Sequence, residues 1–198
     1  MDDFDAGLDR HLDSDVKRLR AESTASTAHP ATYTGVSPVK VRKFGHLVYE
    51  VSDIERSVRF WTEVMGFTEC ERNDKGMVFL RYGADHHGIG LKPAPGRKRP
   101  ASAAGMHIEH LAMEVENQDV LLACRNYLRA NGIPIVFEGR KGAGCNDAVN
   151  FLDPDGYEFE LYCNIDQIGP DGRLRPKSMF KPQPTLEDAI ANPVEKTW

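Results

Sequence analysis

Two histidines occupy the same place in two copies of one short motif, Gly45-His46-Leu47-Val48-Tyr49-Glu50-Val51 and Glu109-His110-Leu111-Ala112-Met113-Glu114-Val115. A helix-like stretch ending at a glycine follows each copy, so the chain reads as a tandem duplication. On a strand, side chains at every second residue share a face. His46, Val48 and Glu50 then project one way, and Leu47, Tyr49 and Val51 the other; the second copy divides identically. A third segment, Asp153-Pro154-Asp155-Gly156-Tyr157-Glu158-Phe159-Glu160-Leu161-Tyr162, opens on a tight turn and then alternates. Its Glu158, Glu160 and Tyr162 share the polar face, with Phe159 and Leu161 turned to the core. His46, His110 and Glu160 thus make a ligand set of two neutral imidazoles and one carboxylate with coordination positions to spare. This is the facial triad associated with non-haem Fe(II), compatible also with Mn(II), Ni(II) or Zn(II). A lone strand histidine is more often structural, but duplication, shared parity and the placement of Glu160 together favour metal ligation.

The elements that must position these residues follow from the local signals. In the first module a strand through Val51 meets Ser52-Asp53-Ile54-Glu55, a capping-box pattern, and the helix runs to Gly66. Strands are expected at Thr68 to Arg72, Met77 to Tyr82 and His87 to Lys92. In the second module Asn117 caps a helix that ends at Asn131-Gly132, and strands follow near Ile135 to Glu138, Ala148 to Leu152 and Tyr157 to Cys163. The order is βαβββ twice. The fold class is therefore α+β, with a domain over residues 41–165 made of modules 41–92 and 106–165 and a linker, Pro93 to Gly105, between them.

A single module leaves a concave sheet face uncovered and is a poor fold alone. The expectation is that both modules join in one curved mixed sheet around a metal-binding cavity. Residues 1–40 form an N-terminal helix and arm: Phe4, Leu8, Leu12, Val16 and Leu19 recur at helical spacing, and residues 22–39 lack periodicity. Residues 166–198 contain five prolines and read as an extended arm, with one short helix starting at Thr185. Arms of this kind commonly cover a partner subunit, so a homodimer is expected.

Composition removes several classes of function. Apolar residues make up 40% of 198, enough for one well-buried domain. No apolar run approaches the ~20 residues that span a bilayer, and the N-terminus lacks the basic and apolar parts of a secretion signal. A cytoplasmic protein with no membrane role is expected. Cys70, Cys124, Cys145 and Cys163 show no Cys-x-x-Cys spacing and read as reduced thiols. With a net charge of −5, a nucleic-acid partner would need a basic stripe, and Arg97-Lys98-Arg99 is too short to be one.

The paired histidine modules and the Asp-Pro-Asp-Gly-Tyr-Glu-Phe-Glu-Leu-Tyr ending resemble the vicinal oxygen chelate superfamily, over roughly residues 41 to 165. That superfamily includes glyoxalase I, fosfomycin-resistance enzymes, methylmalonyl-CoA epimerase, bleomycin-resistance proteins and type I extradiol dioxygenases. One scaffold hosts many reactions. Glyoxalase-like members take a further glutamate ligand from the fourth strand of the first module, where this chain reads His86-His87-Gly88-Ile89-Gly90-Leu91-Lys92 without a carboxylate. Extradiol dioxygenases carry a His-His pair on that strand.

The resemblance therefore implies His87, with His86 as second choice, as the acid-base residue. It implies Fe(II)-dependent ring cleavage of a small catechol-like aromatic by dioxygen, giving a ring-opened semialdehyde or ketone. Ten residues before the glutamate these enzymes place a tyrosine, and nine before that a histidine; this chain has Asn150 and Lys141. Lys141 can stabilise an anion and Asn150 can donate a hydrogen bond, which implies a different contact with the substrate. The alternatives are a non-oxidative isomerase, epimerase or lyase acting on a chelating carbonyl compound, and a ligand-sequestering resistance protein.

Overall fold

The computed structural model describes residues 39, 41–96 and 108–195. The expected N-terminal helix and most of the linker lie outside the described residues. The described residues from Gly45 to Glu195 form one compact unit. In chain order it contains β1 (Leu47–Val51), α1 (Ile54–Arg59), β2 (Thr68–Arg72), β3 (Val78–Arg81), β4 (Ile89–Pro93), β5 (His110–Glu114), α2 (Gln118–Ala130), β6 (Ile135–Arg140), β7 (Asp147–Leu152), β8 (Glu158–Cys163) and α3 (Leu186–Ala191).

The duplication expected from the motifs is present in the pairing. Each module is a four-stranded sheet of the same order, β1-β4-β3-β2 and β5-β8-β7-β6. In both, the first strand pairs parallel to the last, and the remaining pairs are antiparallel. Strand pairing stays within each module, so there are two mixed sheets in place of one continuous sheet.

Side chains cap the starts of the helices, Asn117 and Thr185 where the sequence places them and, in the first module, Asp53 in place of the Ser52 that the capping-box pattern puts there. The Asp53 carboxylate accepts from Arg56 N at 3.0 Å, Asn117 Oδ1 from Val120 N at 3.0 Å, and Thr185 Oγ1 from Asp188 N at 3.0 Å. After α1 the chain widens into a π turn over Phe60–Val64, closed by Met65 N donating to Phe60 O at 3.1 Å. The wide turn sets Phe60 and Trp61 side by side in the core, with Trp61 fully buried.

That core is shared. Trp61 meets Phe159 edge-on, with ring centroids 5.0 Å apart, and Tyr49 meets Tyr157 at 4.9 Å. Tyr49, Val51, Leu80, Ile89 and Leu91 of the first sheet join Val149, Phe151, Phe159 and Leu161 of the second in one apolar cluster with Leu121 and Leu128 of α2. The odd-numbered faces of β1 and β8 are therefore turned inward to a common core, and by strand alternation the even-numbered faces are turned away from it.

Polar contacts lock the modules together at the Asp153–Gly156 turn. Tyr49 donates to Asp153 Oδ2 at 2.9 Å while accepting from Trp61 Nε1 at 2.8 Å. Asp155 accepts from Ser52 N at 3.1 Å and from Arg56 Nη2 at 2.9 Å.

The C-terminal arm is extended with a 3-10 turn at Lys177–Met179 before α3. It docks on the edge of β6, where Arg140 and Gln183 exchange backbone hydrogen bonds of 3.0 and 3.1 Å. Gly139 makes this approach possible: at φ +134° it lies where side chains are disfavoured, and a Cβ would stand 2.1 Å from Gln183 O. All four cysteines are free, and no described helix is long and apolar enough to cross a membrane.

Candidate functional site

The sequence-predicted residues gather in two groups, one in each module. In the second module, β5 and β8 run in parallel register with Ala112 opposite Glu160. His110 Nε2 lies 3.4 Å from Glu160 Oε2. Adjacent ligands of a metal held at ~2.1 Å stand about 3.0 to 3.4 Å apart, so this pair has the spacing of two ligands to one cation. His110 Nδ1 is buried and takes no hydrogen bond among the described residues; Glu109 Oε2 is 3.7 Å away.

Glu160 is 3% exposed, a burial that a carboxylate tolerates only with partners. Asn146 Nδ2 donates to its Oε1 at 3.0 Å, and Lys141 Nζ donates to its Oε2 at 2.5 Å. Both partners come from one short loop. Lys141 N donates to Asn146 O at 3.0 Å, and Gly144 and Cys145 adopt φ +73° and +48°, which turns the chain back within a few residues. A left-handed cysteine is strained by roughly 1–2 kcal/mol, so the turn is held by its surroundings. Asn150 is buried, donating to Glu158 Oε1 at 2.8 Å, while its own Oδ1 finds no partner among the described residues.

In the first module His46 and His87 meet, with ring centroids 4.5 Å apart. Each precedes its strand, since β1 opens at Leu47 and β4 at Ile89, but the pairing reaches back far enough for Leu47 N to donate to Gly88 O at 2.9 Å. That bond aligns the two residues. Phe79 packs edge-on against His87 at 4.9 Å. His86 is exposed, with Nδ1 3.0 Å from His87 Nδ1 and Nε2 3.2 Å from Glu71 Oε2. Burial, together with the neighbouring His46 and His86, holds the His87 imidazolium below the ordinary histidine range, against an opposing pull from Glu71. The shift favours the neutral form of the His87 imidazole.

One difference between the two modules bears on the ligand set. Val48 pairs with Gly90 as Ala112 pairs with Glu160. Gly90 therefore stands where the second module carries its carboxylate. A Cβ on Gly90 would lie 2.9 Å from Val48 Cγ2 and 3.5 Å from the Phe79 ring, so the space a ligand side chain would need is filled by apolar groups.

The structure brings His110 to Glu160 and His46 to His87; it does not bring the two pairs into one cluster. Among the described residues no group of three or more His, Cys, Asp or Glu side chains could hold a metal ion. The shared core takes the odd-numbered faces of both sheets, and each module keeps its own pair. Sequence reasoning missed Asn146, the residue that orients Glu160, and Glu71, which faces His86. Asn146 sits in a glycine-rich loop, and its one visible signal is that it immediately precedes β7, beside the glutamate strand.

The sequence model of the Glyoxalase/Bleomycin resistance protein/Dioxygenase superfamily matches residues 43–161. The chain is 28% identical over 138 residues to a manganese-dependent 2,3-dihydroxybiphenyl 1,2-dioxygenase of Geobacillus genomosp. 3, covering 68% of this chain and 41% of that protein. It is 30% identical over 126 residues to a lactoylglutathione lyase of Arabidopsis thaliana, covering 61% of this chain and 44% of the relative. In both cases the match spans less than half of the relative's length. Among solved structures, a glyoxalase/dioxygenase from Nostoc punctiforme shares the fold, with a TM-score of 0.54 at 21% identity over 67% of this chain and 98% of that one.

Proposed function

The chain belongs to the glyoxalase/bleomycin resistance protein/dioxygenase superfamily, and we propose that within it the chain is a metal-dependent dioxygenase that opens a small catechol-like aromatic ring. The observation that carries this reading is Gly90 in the place of a second carboxylate. It leaves a set of two histidines and one glutamate, with positions open for a chelating substrate and dioxygen, in place of a four-ligand site. His46, His110 and Glu160 would hold the metal, Fe(II) first, with Mn(II), the metal named for a relative, next.

The metal would supply Lewis acidity toward both oxygens of a chelated diol. The chain's own residues do the rest. His87, neutral and half-shielded beside His46, would take a proton from the substrate hydroxyl and later return it to the departing oxygen. His86 and Glu71 would orient that imidazole. Lys141 and Asn150 would face the substrate from the second module.

We infer that two chains together complete the ligand set. In a homodimer, His46 and His87 of one chain would stand against the His110–Glu160 pair of its partner, which uses the two outward polar faces and leaves the shared core intact.

A second reading is favoured by Asn150 and Lys141, which stand where the resemblance to extradiol dioxygenases implies tyrosine and histidine. In it the same residues enolise a chelated carbonyl compound without oxygen, as a lyase or isomerase would. One experiment separates the two: elemental analysis of anaerobically purified protein, followed by oxygen uptake with a panel of catechols. Iron or manganese near one per chain with oxygen consumption supports ring cleavage. A bound metal with no oxygen consumption moves the assignment to the non-oxidative reading, and a metal-free, inactive protein overturns both.

A further inference from the structure

We propose that the C-terminal arm is a brace that positions Glu160: it fixes the loop carrying Lys141 and Asn146, and through that loop the direction of the carboxylate. Arg140, Asp166 and Arg175 are then positioning residues. The inference rests on reading Glu160 as a working residue of the site, and every contact it uses runs directly between residues of this chain.

The loop is short and its ends are tied. Arg140 immediately precedes Lys141, and Asp147 immediately follows Asn146. The two form a buried ion pair, with Arg140 Nε donating to Asp147 Oδ1 at 2.9 Å, and Lys141 N donates to Asn146 O at 3.0 Å just inside it. Gln118 Nδ-side contacts are not needed for this closure, since the other oxygen of Asp147 accepts from Gln118 Nε2 at 2.8 Å and Asn164 Nδ2 at 3.1 Å. The Arg140 side chain is 1% exposed, and a guanidinium so buried needs partners for its remaining donors. They go to the arm: Nη1 to Asn192 O at 2.6 Å and Nη2 to Ala189 O at 2.5 Å, at the end of α3 where a helix leaves carbonyls unpaired. Leu186 and Ala189, both buried, anchor α3 in turn.

The middle of the loop is held from the start of the arm. Asp166 N donates to Gly144 O at 2.8 Å, and Phe180 closes over Gly142, its Cδ2 3.5 Å from where a Cβ would stand. The Asp166 carboxylate takes bonds of 2.8 and 2.7 Å from Arg175, which also donates to Glu195 O at 2.6 Å, so one buried arginine joins the start of the arm to its end. This bracing accounts for a conformation the loop would not hold alone. Gly144 and Cys145 have φ of +73° and +48°, and a side chain in that region is strained. Without the arm, Cys145 relaxes to negative φ and turns the next residue, Asn146, away from Glu160 Oε1, to which it donates at 3.0 Å. The buried carboxylate is then left to the pull of Lys141. The arm lies outside residues 43–161 that match the superfamily, so the brace acts on the shared scaffold from sequence beyond it.

Native-state hydrogen exchange on the full-length wild type at low urea tests this without any variant. The amides of Lys141, Cys145 and Asp166 should exchange through the same opening as those of Gln183, Ala189 and Asn192 in the arm, and roughly tenfold or more faster than the amides of β7, which lies between two strands. Loop amides that open apart from the arm overturn the inference, and so do arm and loop that open only together with β7. Arg140→Lys keeps the charge beside Asp147 and gives up the two bonds to α3. In this variant the Asn146 side-chain amide resonances should move toward those of an exposed asparagine, and their exchange with solvent should quicken roughly tenfold. Tyr49→Phe, which loosens the core away from the arm, should leave those resonances in place. An unmoved Asn146 signal in folded Arg140→Lys, or equal movement in Tyr49→Phe, overturns the inference. None of these readouts depends on a metal, so a wild type that binds no divalent metal would overturn the ligand role of Glu160 and leave the brace standing.

Discussion

Gly90 holds in the first module the register position that Glu160 holds in the second, one opposite Val48 and the other opposite Ala112. The difference between valine and alanine matters as much as that between glycine and glutamate, because Val48 Cγ2 lies where a Cβ on residue 90 would have to pass. Gly90→Glu alone should therefore destabilise the protein by about 1–3 kcal/mol through overpacking, with no gain in metal affinity. Adding Val48→Ala reproduces the Ala112–Glu160 pair. The double variant should recover most of the lost melting temperature and bind Zn(II) or Mn(II) roughly tenfold tighter than the wild type by calorimetry. No gain in affinity from the double variant would mean that the two modules are not equivalent at this position.

The chain of hydrogen bonds from Trp61 through Tyr49 to Asp153 crosses from one module to the other inside the core. Tyr49→Phe removes its centre and takes the partner from an indole N–H and from one oxygen of the buried Asp153 carboxylate. The expected loss is about 1–3 kcal/mol in urea unfolding, with an unchanged m-value.

Burial raises the pKa of Asp153 above its ordinary 3.8, and its hydrogen bonds from Tyr49 and the turn amides only partly offset this. The folded state thus holds the Asp153 proton more tightly than the unfolded chain does. The stability from this group is complete below pH ~3.8 and is lost as pH rises through the raised folded value. Asp153→Asn, which does not titrate, removes this contribution alone. The unfolding free energy of the wild type minus that of the variant should fall as pH rises across that window and be flat above it. A difference that rises with pH would assign Asp153 a lowered pKa and contradict its desolvation.

Much of this architecture was legible in the sequence because short-range chemistry determined it. Asn117 and Thr185 cap the helices they precede, and β2 spans the residues expected of it. Parity correctly assigned Tyr49, Val51, Phe159 and Leu161 to the core. What pattern could not supply was which way two finished modules pack. Alternation is the same whether the polar faces meet or turn apart, and the choice was made by large side chains such as Trp61 and Phe159, which no local rule pairs. The Asp153–Gly156 turn shows the same limit. It reads as a tight turn before the glutamate strand, yet its two aspartates serve as the clasp between modules.

Gly139 marks where the C-terminal arm closes against β6. Gly139→Ala places a methyl group against Gln183 O and forces a side chain into a disfavoured backbone region. Release of the arm should follow, with a stability loss on the order of 2 kcal/mol from strain and the two broken backbone bonds. Limited proteolysis should then cut within residues 166–185 at a rate the wild type does not show. Resistance equal to the wild type would mean that α3 and the buried Arg140, which donates to Ala189 O and Asn192 O, hold the arm without the bridge.

If His46 of one chain completes the site of another, damage to one half can be repaired by a partner damaged in the other. His46→Ala and Glu160→Gln variants should each be inactive as homodimers, each having lost a ligand from both sites. In a heterodimer, one site would combine the two lesions and the other would contain neither. Unfolding and refolding an equal mixture gives half its dimers as heterodimers, each with one intact site of two. About a quarter of wild-type activity should therefore return, with one metal per heterodimer by elemental analysis, if the subunits associate at random. The variants mixed without exchange serve as the control. Activity that stays at the level of the separate variants after verified exchange would place His46, His110 and Glu160 in a site built within a single chain.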